Sequence, residues 1–143
     1  MDAYSEEIMG HQVGATLEAF YCITLRKALK KCDGRLADLT ALIHHSDRGT
    51  QYASSKYVGI LKERLIAISM TESGDPLENP IAERINGILK TEWIYDIKLK
   101  SWQETISFIS RIIDLYNNQR PHQSISYMVP ALVHQTNIIT NRT

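Results

Sequence analysis

Short apolar runs alternate with amphipathic stretches along most of this chain, and that alternation limits the folds open to it. Residues 41–46 and 66–70 are compact apolar runs of strand length. The segment between them, residues 54–64, repeats its apolar side chains with a helical period, and another such pattern follows Asn79 and Pro80, a typical helix start. Alternating strands and helices predict an α/β fold.

Three further elements complete the prediction. Residues 7–13 can form a short strand, although Gly10 weakens it, and Thr16 can cap a helix that ends before Gly34. A long helix begins at the capping box of residues 101–104 and is broken by residues 117–121. The predicted inward-facing residues are Leu17, Tyr21, Leu25 and Ala28; Tyr57, Val58, Leu61 and Leu65; Ile81, Ile85, Ile88 and Leu89; and Trp102, Ile106, Ile109, Ile113 and Tyr116.

Composition excludes several classes of protein. With 143 residues, 43% apolar and 22% charged, the chain can build one folded core. No apolar run approaches the ~20 residues of a membrane span, and no signal peptide is recognisable, so we expect a soluble cytoplasmic protein. Its formal net charge is zero, but residues 1–83 carry 9 basic and 12 acidic side chains and residues 84–143 carry 7 and 4.

Two acidic residues occupy positions suited to binding a metal or substrate. Asp47 follows an apolar strand, where open α/β sheets place their ligands, although an Asx turn closed by its own carboxylate explains the position equally simply. Glu83 lies in the first turn of a helix, where favourable interaction with the helix dipole is the ordinary explanation. Asp75 and Glu78 are rival acids, but Glu83 is the more rigidly anchored.

Histidine and amide side chains form two further candidate groups. His44 and His45 are adjacent in a predicted strand, so they point to opposite faces and cannot both bind one metal ion, and at least one is expected to be structural. Residues 116–122, of sequence YNNQRPH, combine aromatic, amide and cationic groups that could grip phosphates and stack on bases. They could equally form a polar helix terminus whose arginine pairs with a carboxylate.

These motifs, taken together and in order, resemble a known family. Residues 44–52 (HHSDRGTQY) and the stretch from 69 to 83 that ends in GDPLENPIAE resemble the second and third acidic motifs of bacterial insertion-sequence transposases with a retroviral-integrase-type catalytic core. Thirty-five residues lie between Asp47 and Glu83, a separation typical of that D,D,E triad. Residues 116–124 resemble the family's downstream signature, and the resemblance extends from residue 2 to about residue 133.

The resemblance implies a ribonuclease-H-like fold, a DNA partner, and metal-dependent DNA cleavage and strand transfer with Mg²⁺ or Mn²⁺ as cofactor. Asp47 and Glu83 would be catalytic residues and metal ligands, because hard cations prefer carboxylate oxygens. Asn86 and Lys90 share a helix face with Glu83 and would meet the DNA backbone. The expected DNA-contacting residues are Arg48, Gln51, Tyr52, Asn86, Lys90, Tyr116, Asn117, Arg120 and His122.

The chain also departs from the family pattern. The family's first aspartate lies on its first strand, upstream of the part that Asp2 matches, so one acid of the triad is absent from these 143 residues. We expect a partial core, residues 1–95 carrying the acidic motifs and 96–143 a C-terminal helix and tail, that lacks one or two strands, self-associates, and is inactive alone. The alternatives are a non-catalytic DNA-binding fragment that interferes with full-length transposase, or a decayed reading frame.

Overall fold

A computed structural model describes residues 1–14, 17–33, 39–72 and 79–140. The described residues form α1 (Leu17–Asp33), β1 (Ile43–Ser46), α2 (Ser55–Glu63), β2 (Ala67–Met70), α3 (Pro80–Leu89), α4 (Trp102–Asn118) and α5 (Pro130–Thr140). Helix α3 continues as a π-helical segment, Lys90–Ile94, and a short 3₁₀ turn, Gln123–Ile125, precedes α5. None of the described helices has the length and apolar content needed to cross a membrane.

The sheet confirms the α/β prediction at its centre. Strands β1 and β2 pair in parallel, with Ile43 opposite Ala67 and Ser46 opposite Met70. Parallel neighbours need a crossover, and α2 provides it. That helix begins where Ser54 Oγ accepts a 3.3 Å hydrogen bond from the Tyr57 backbone N–H. Both strands and the helix between them therefore fall within about two residues of their predicted positions.

The main apolar core lies between α1, α2 and the start of β2. Its buried members are Cys22, Leu25, Leu29, Tyr57, Ile60, Leu61 and Ile66. The stripe predicted for α1 is offset, since burial there centres on Cys22, Leu25, Leu29 and Cys32, while Tyr21 and Ala28 are only half-buried. A second buried group forms where α4 packs against α5, with Ile112 and Tyr116 almost fully enclosed. Helix α5 had no counterpart in the sequence prediction.

The N-terminal segment is not a strand, contrary to the prediction for residues 7–13. Its backbone bonds to a side chain instead of a neighbouring strand: the Ile8 N–H donates to Asn117 Oδ1 (2.9 Å), and Asn117 Nδ2 donates to the Ile8 carbonyl (3.1 Å). Gly10 lies directly on α1, where a Cβ would approach the Thr24 carbonyl oxygen to 2.7 Å. The residue that weakened the strand prediction is thus required for close helix packing.

Two residues predicted to face inward are exposed. Leu65 is 73% exposed with φ 56°, because α2 ends at Glu63 and the chain reverses through a left-handed turn there. Trp102 is 50% exposed, because it is the first residue of α4, at the solvent end of the helix. The Ser101 cap is confirmed, because Ser101 Oγ accepts from the Glu104 N–H at 3.1 Å, but the Glu104 side chain accepts from the Lys100 N–H (2.8 Å) and not from Ser101, so the reciprocal half of the capping box is not formed. The predicted cap Thr16 and helix end Gly34 lie outside the described residues, as do Asp75 and Glu78.

Candidate metal and nucleic-acid site

Asp47 is exposed immediately after the carboxyl end of β1. Its Oδ1 accepts the Gly49 N–H at 2.9 Å, which closes an Asx turn, the simpler explanation that the sequence left open. The turn uses one carboxylate oxygen, and no other described residue bonds to Oδ2. The structure therefore places an accessible carboxylate oxygen at the strand end.

The neighbours of Asp47 tie the ends of the two strands together. Arg48 Nη1 donates to the Glu72 carbonyl at 3.1 Å, so it links the turn after β1 to the residue that follows β2. Tyr52 is half-buried in an aromatic cluster, 5.2 Å from the Tyr21 ring and 5.4 Å from the Tyr57 ring. Burial raises the pKa of Tyr52, and the charges of Tyr21 and Asp47 raise it further. The phenol is therefore a neutral hydrogen-bond donor close to the acid.

His44 is a structural residue, as expected for at least one of the histidine pair. Its Nε2 lies 2.9 Å from the Tyr57 hydroxyl, and its ring contacts Tyr52 and Tyr57 edge-on or tilted. Burial lowers the pKa of His44, so the ring is neutral at pH 7. His45 points away and its Nδ1 lies 3.0 Å from Ser69 Oγ on β2.

Glu83 lies on the exposed face of α3. Asn86, Gly87 and Lys90 are exposed on the same side, while Ile85 is buried at 4%, so the predicted division of this helix is confirmed. Asn79 occupies the N-cap position, but its side chain makes no capping hydrogen bond. Within the described part of the chain, no hydrogen bond or ion pair engages the Glu83 carboxylate. The acid is free to bind a cation.

A cleft of about 390 Å³ brings the start of α3 to the side of β1. Its wall includes His44 and His45 from the strand and Asn79 and Ile81 from the helix. In the chain, Asp47 comes two residues after His45 and Glu83 comes two residues after Ile81, both of which line the cleft. The two acids form no direct contact with each other in the described structure. Among the described residues, no group of three or more acidic, histidine or cysteine side chains could hold a metal ion.

The YNNQRPH motif is divided between the interior and the surface: three of its residues are buried, and Asn118, Gln119 and Pro121 are exposed. Tyr116 is fully buried, Asn117 is bonded to the N-terminal segment, and His122 is 3% exposed with its ring 4.6 Å from that of Tyr116. Arg120 pairs with Glu92, donating from Nε to Oε2 at 2.7 Å. This pairing matches the alternative interpretation of the motif, a polar helix terminus whose arginine pairs with a carboxylate. The DNA-contacting role of these residues stays a prediction.

The residues joined to this motif were missed by sequence reasoning. Glu6 is 5% exposed and receives Arg84 from α3, and Glu92 receives Arg120. Asp2 also has partners in the fold: its carboxylate accepts the Ser5 N–H at 2.9 Å and lies 3.3 Å from His134 Nδ1. No local pattern marks these partners, because they are separated by up to 132 residues.

Comparison with known proteins identifies the family. The integrase core domain model matches residues 64–130, a segment that contains Glu83 and follows Asp47. A protein named as a transposase for insertion sequence element IS986/IS6110 from Mycobacterium tuberculosis is 34% identical over 85% of this chain and 45% of its own length. The transposase for insertion sequence element IS629 from Shigella sonnei is 31% identical, over 92% of this chain and 43% of its own length.

A third relative, the transposase for insertion sequence element IS904 from Lactococcus lactis, is 28% identical over 91% of this chain and 51% of its own length. The chain thus spans about half the length of the relatives it matches. An integrase core domain implies a ribonuclease-H-like fold; such domains generally use divalent metals, and transposases act on DNA. Together, the integrase core match and the similarity to these relatives over most of the chain support an insertion-sequence transposase.

Proposed function

We propose that this chain contributes the second and third acids, Asp47 and Glu83, to a divalent-metal site for DNA cleavage and strand transfer. The observation that carries the proposal is the position of the two acids. Asp47 stands at the carboxyl end of a strand in a parallel pair, and Glu83 stands on the solvent face of the helix that follows the pair. Ligand sites of open α/β sheets lie outside such strand ends.

The chemistry of the donors fits Mg²⁺ or Mn²⁺. Both ions prefer carboxylate oxygens, and each acid offers at least one oxygen that no described residue occupies. A bound metal ion would supply activation of the attacking oxygen and stabilisation of the leaving oxygen at a phosphodiester. With two protein carboxylates and no third ligand beside them among the described residues, we expect weak binding.

The surrounding residues would bind and orient the nucleic acid. Asn86 and Lys90, about one and two turns beyond Glu83 on the same exposed side, would contact backbone phosphates beside the metal. Arg48 would hold the Asp47 turn in place through its bond to the Glu72 carbonyl, and Gln51 and Tyr52 would flank it. The phenol of Tyr52, kept neutral by burial, can donate a hydrogen bond to a phosphate oxygen.

Strand transfer requires the family's first aspartate as well. Because the 143 residues supply two of the three acids, we expect this chain alone to catalyse no strand transfer, and the activity to require a polypeptide that provides the third. The exposed face of α3 would still bind DNA with an affinity that falls as salt rises. A non-catalytic DNA-binding fragment is therefore the alternative.

Paramagnetic NMR tests the metal role directly. Trace Mn²⁺ added to the Mg²⁺-equilibrated chain is expected to broaden amide signals around residues 47 and 83. Asp47→Asn should weaken that effect about tenfold or more, since loss of a carboxylate removes charge and a ligand. Asp96→Asn, which changes an exposed acid on a distant turn, is the matched control and should have no effect.

An unchanged Mn²⁺ affinity in Asp47→Asn would refute the metal role. If DNA binds but Mn²⁺ broadening is scattered over surface acids, the non-catalytic alternative is favoured.

A further inference from the structure

Charge pairs anchor both ends of the helix that carries Glu83. Near its start, Arg84 of α3 forms an ion pair with Glu6 of the N-terminal segment. Near the end of the π-helical continuation, Glu92 accepts two hydrogen bonds from Arg120, which follows α4. The anchors lie eight residues apart and tie one helix to two distant parts of the chain.

Glu6 is the central residue of the first anchor. It is buried, its backbone adopts φ 62°, and its Oε1 accepts a 2.7 Å hydrogen bond from Ser124 Oγ. His122 Nδ1 lies 3.2 Å from Oε2 of the same carboxylate. A non-glycine residue in the left-handed region is strained and persists only where its surroundings hold it. Arg84 from α3 and Ser124 from the turn after α4 both bond to Oε1 and hold this one, while Oε2 faces the His122 ring without a hydrogen bond.

The two anchors join in the turn of residues 120–124. Arg120 Nη1 lies 3.3 Å from His122 Nδ1, so the residue that pairs with Glu92 also contacts the ring that lies beside Glu6. The Tyr116 ring packs edge-on against the His122 ring. Glu6, Arg84, Glu92, Arg120, His122 and Ser124 therefore form one connected network, which we call the charged clamp.

A helix held at two points cannot rotate freely about its axis. Each residue of an α-helix turns about 100°, so fixing Arg84 also fixes the direction in which its neighbour Glu83 points. The same constraint sets the outward face that Asn86 and Lys90 share with Glu83. We propose that the charged clamp orients α3, so that Glu6, Arg120, His122 and Ser124 are positioning residues for Glu83 and not contacts to DNA. The assignment to Glu83 rests on the proposed metal role.

The burial of Glu6 explains why the first anchor would hold, while the second anchor, the Arg120–Glu92 pair, is 25% and 39% exposed and depends on its two hydrogen bonds. The Glu6 side chain is 6% exposed, and removing one partner of a buried pair leaves an uncompensated charge in a low-dielectric site. The Arg64–Asp33 pair, which joins the C-cap of α2 to the end of α1, is 46% and 39% exposed, and such exposed pairs contribute little stability. That pair supplies a matched control for loss of an ion pair.

The orientation of α3 can be measured without any metal. Residual dipolar couplings of backbone amides report the angle between α3 and α4 in the wild-type chain and in Glu6→Gln, Glu92→Gln and Arg120→Gln. We expect the α3 couplings to change relative to those of α4 in all three variants and to stay unchanged in Arg64→Gln. Glu92→Gln loses an exposed pair, so it keeps the experiment informative if Glu6→Gln fails to fold.

Mn²⁺ and DNA titrations of the same variants complete the test. The charged clamp predicts that Mn²⁺ broadening at Glu83 is about tenfold weaker in Glu92→Gln and Arg120→Gln. A loss of that size is at the low end of the range typical for removal of a residue that orients a metal ligand. Recovery in the charge-reversed pair Glu92→Arg with Arg120→Glu would confirm that the contact itself matters. If the variants shift the α3 couplings but the wild-type chain shows no Mn²⁺ effect, the metal role is refuted and the charged clamp is supported.

Two results would overturn the clamp. The first is unchanged α3 couplings in the folded Glu92→Gln and Arg120→Gln variants. The second is a fall in DNA affinity in Arg120→Gln, with a salt slope reduced by about one, while Glu92→Gln binds DNA as tightly as wild type. That pattern would identify Arg120 as a phosphate contact.

Discussion

Replacing Asn117 with alanine separates a structural role for the YNNQRPH motif from a DNA-contacting one. Asn117 is 6% exposed near the end of α4, and its amide makes two hydrogen bonds with the backbone of Ile8. The alanine variant removes both bonds and leaves the Ile8 N–H without a partner. The Ile8 carbonyl keeps one, because Lys31 Nζ also donates to it at 3.5 Å.

The expected loss of unfolding free energy follows from these lost hydrogen bonds and from the unpaired Ile8 N–H. Two net hydrogen bonds contribute about 1 kcal/mol each, and the orphaned N–H adds part of its desolvation cost, for a total of about 2 to 3 kcal/mol. At roughly 3 °C per kcal/mol for a chain of this size, the melting temperature should fall by about 6 to 9 °C. DNA affinity of the folded protein should not change, because the side chain faces inward.

Urea unfolding followed by tryptophan fluorescence measures the loss, with an unchanged m-value as the sign that only stability has changed. Asn118→Ala is the matched control: its amide is exposed and bonds only to Asp114 of the same helix, so the effect should stay below about 0.5 kcal/mol. A free energy of unfolding for Asn117→Ala within 0.5 kcal/mol of wild type, combined with weaker DNA binding, would refute the reasoning.

Two further predictions concern buried polar groups. The Tyr116 hydroxyl is buried without a hydrogen-bond partner among the described residues, and burial raises its pKa. Tyr116→Phe removes this unsatisfied group, so it should raise the free energy of unfolding by about 1 kcal/mol in urea titrations. Tyr95→Phe, at an exposed position, should leave that free energy unchanged. Burial by itself would raise the pKa of Asp2, but hydrogen bonds from His134 and Ser5 outweigh it and lower that pKa from 3.8 to about 2. The folded state thus favours the charged form, so the stability that Asp2 provides is complete well above pH 3.8 and is lost as the pH falls toward 2. Asp2→Asn should be less stable than wild type at pH 7, and a stability gap that persisted at pH 1.5 would contradict this assignment.

Local sequence patterns were sufficient for most of the secondary structure. The strands at residues 43 and 67 and the helices after Ser54, Asn79 and Ser101 all form close to where periodicity and capping residues place them. These signals are local, because a cap or a stripe acts within one or two turns. They failed at residues 7–13, where strand character depends on a neighbouring strand that the described structure does not contain.

The sequence likewise indicated which acids to consider, but not how their surroundings are arranged. Asp47 and Glu83 stand out through their motifs and their spacing, and their exposure agrees with that selection. The Asx turn at Asp47, and the lack of a partner for Glu83 among the described residues, required coordinates, since either acid could have formed an ion pair. Whether the two acids share a metal ion is the subject of the Mn²⁺ experiment.

By itself the sequence indicated the family resemblance, the acidic motifs and the order of the elements from α1 to α4, because all of these reside in residue identity and short-range spacing. Only the tertiary structure decided that Tyr116, Asn117 and His122 of the YNNQRPH motif are buried. It also decided that Arg84, His122 and Ser124 lie around the Glu6 carboxylate. Burial and ion pairing between residues 78 to 118 positions apart depend on how helices pack, and no local pattern encodes that packing.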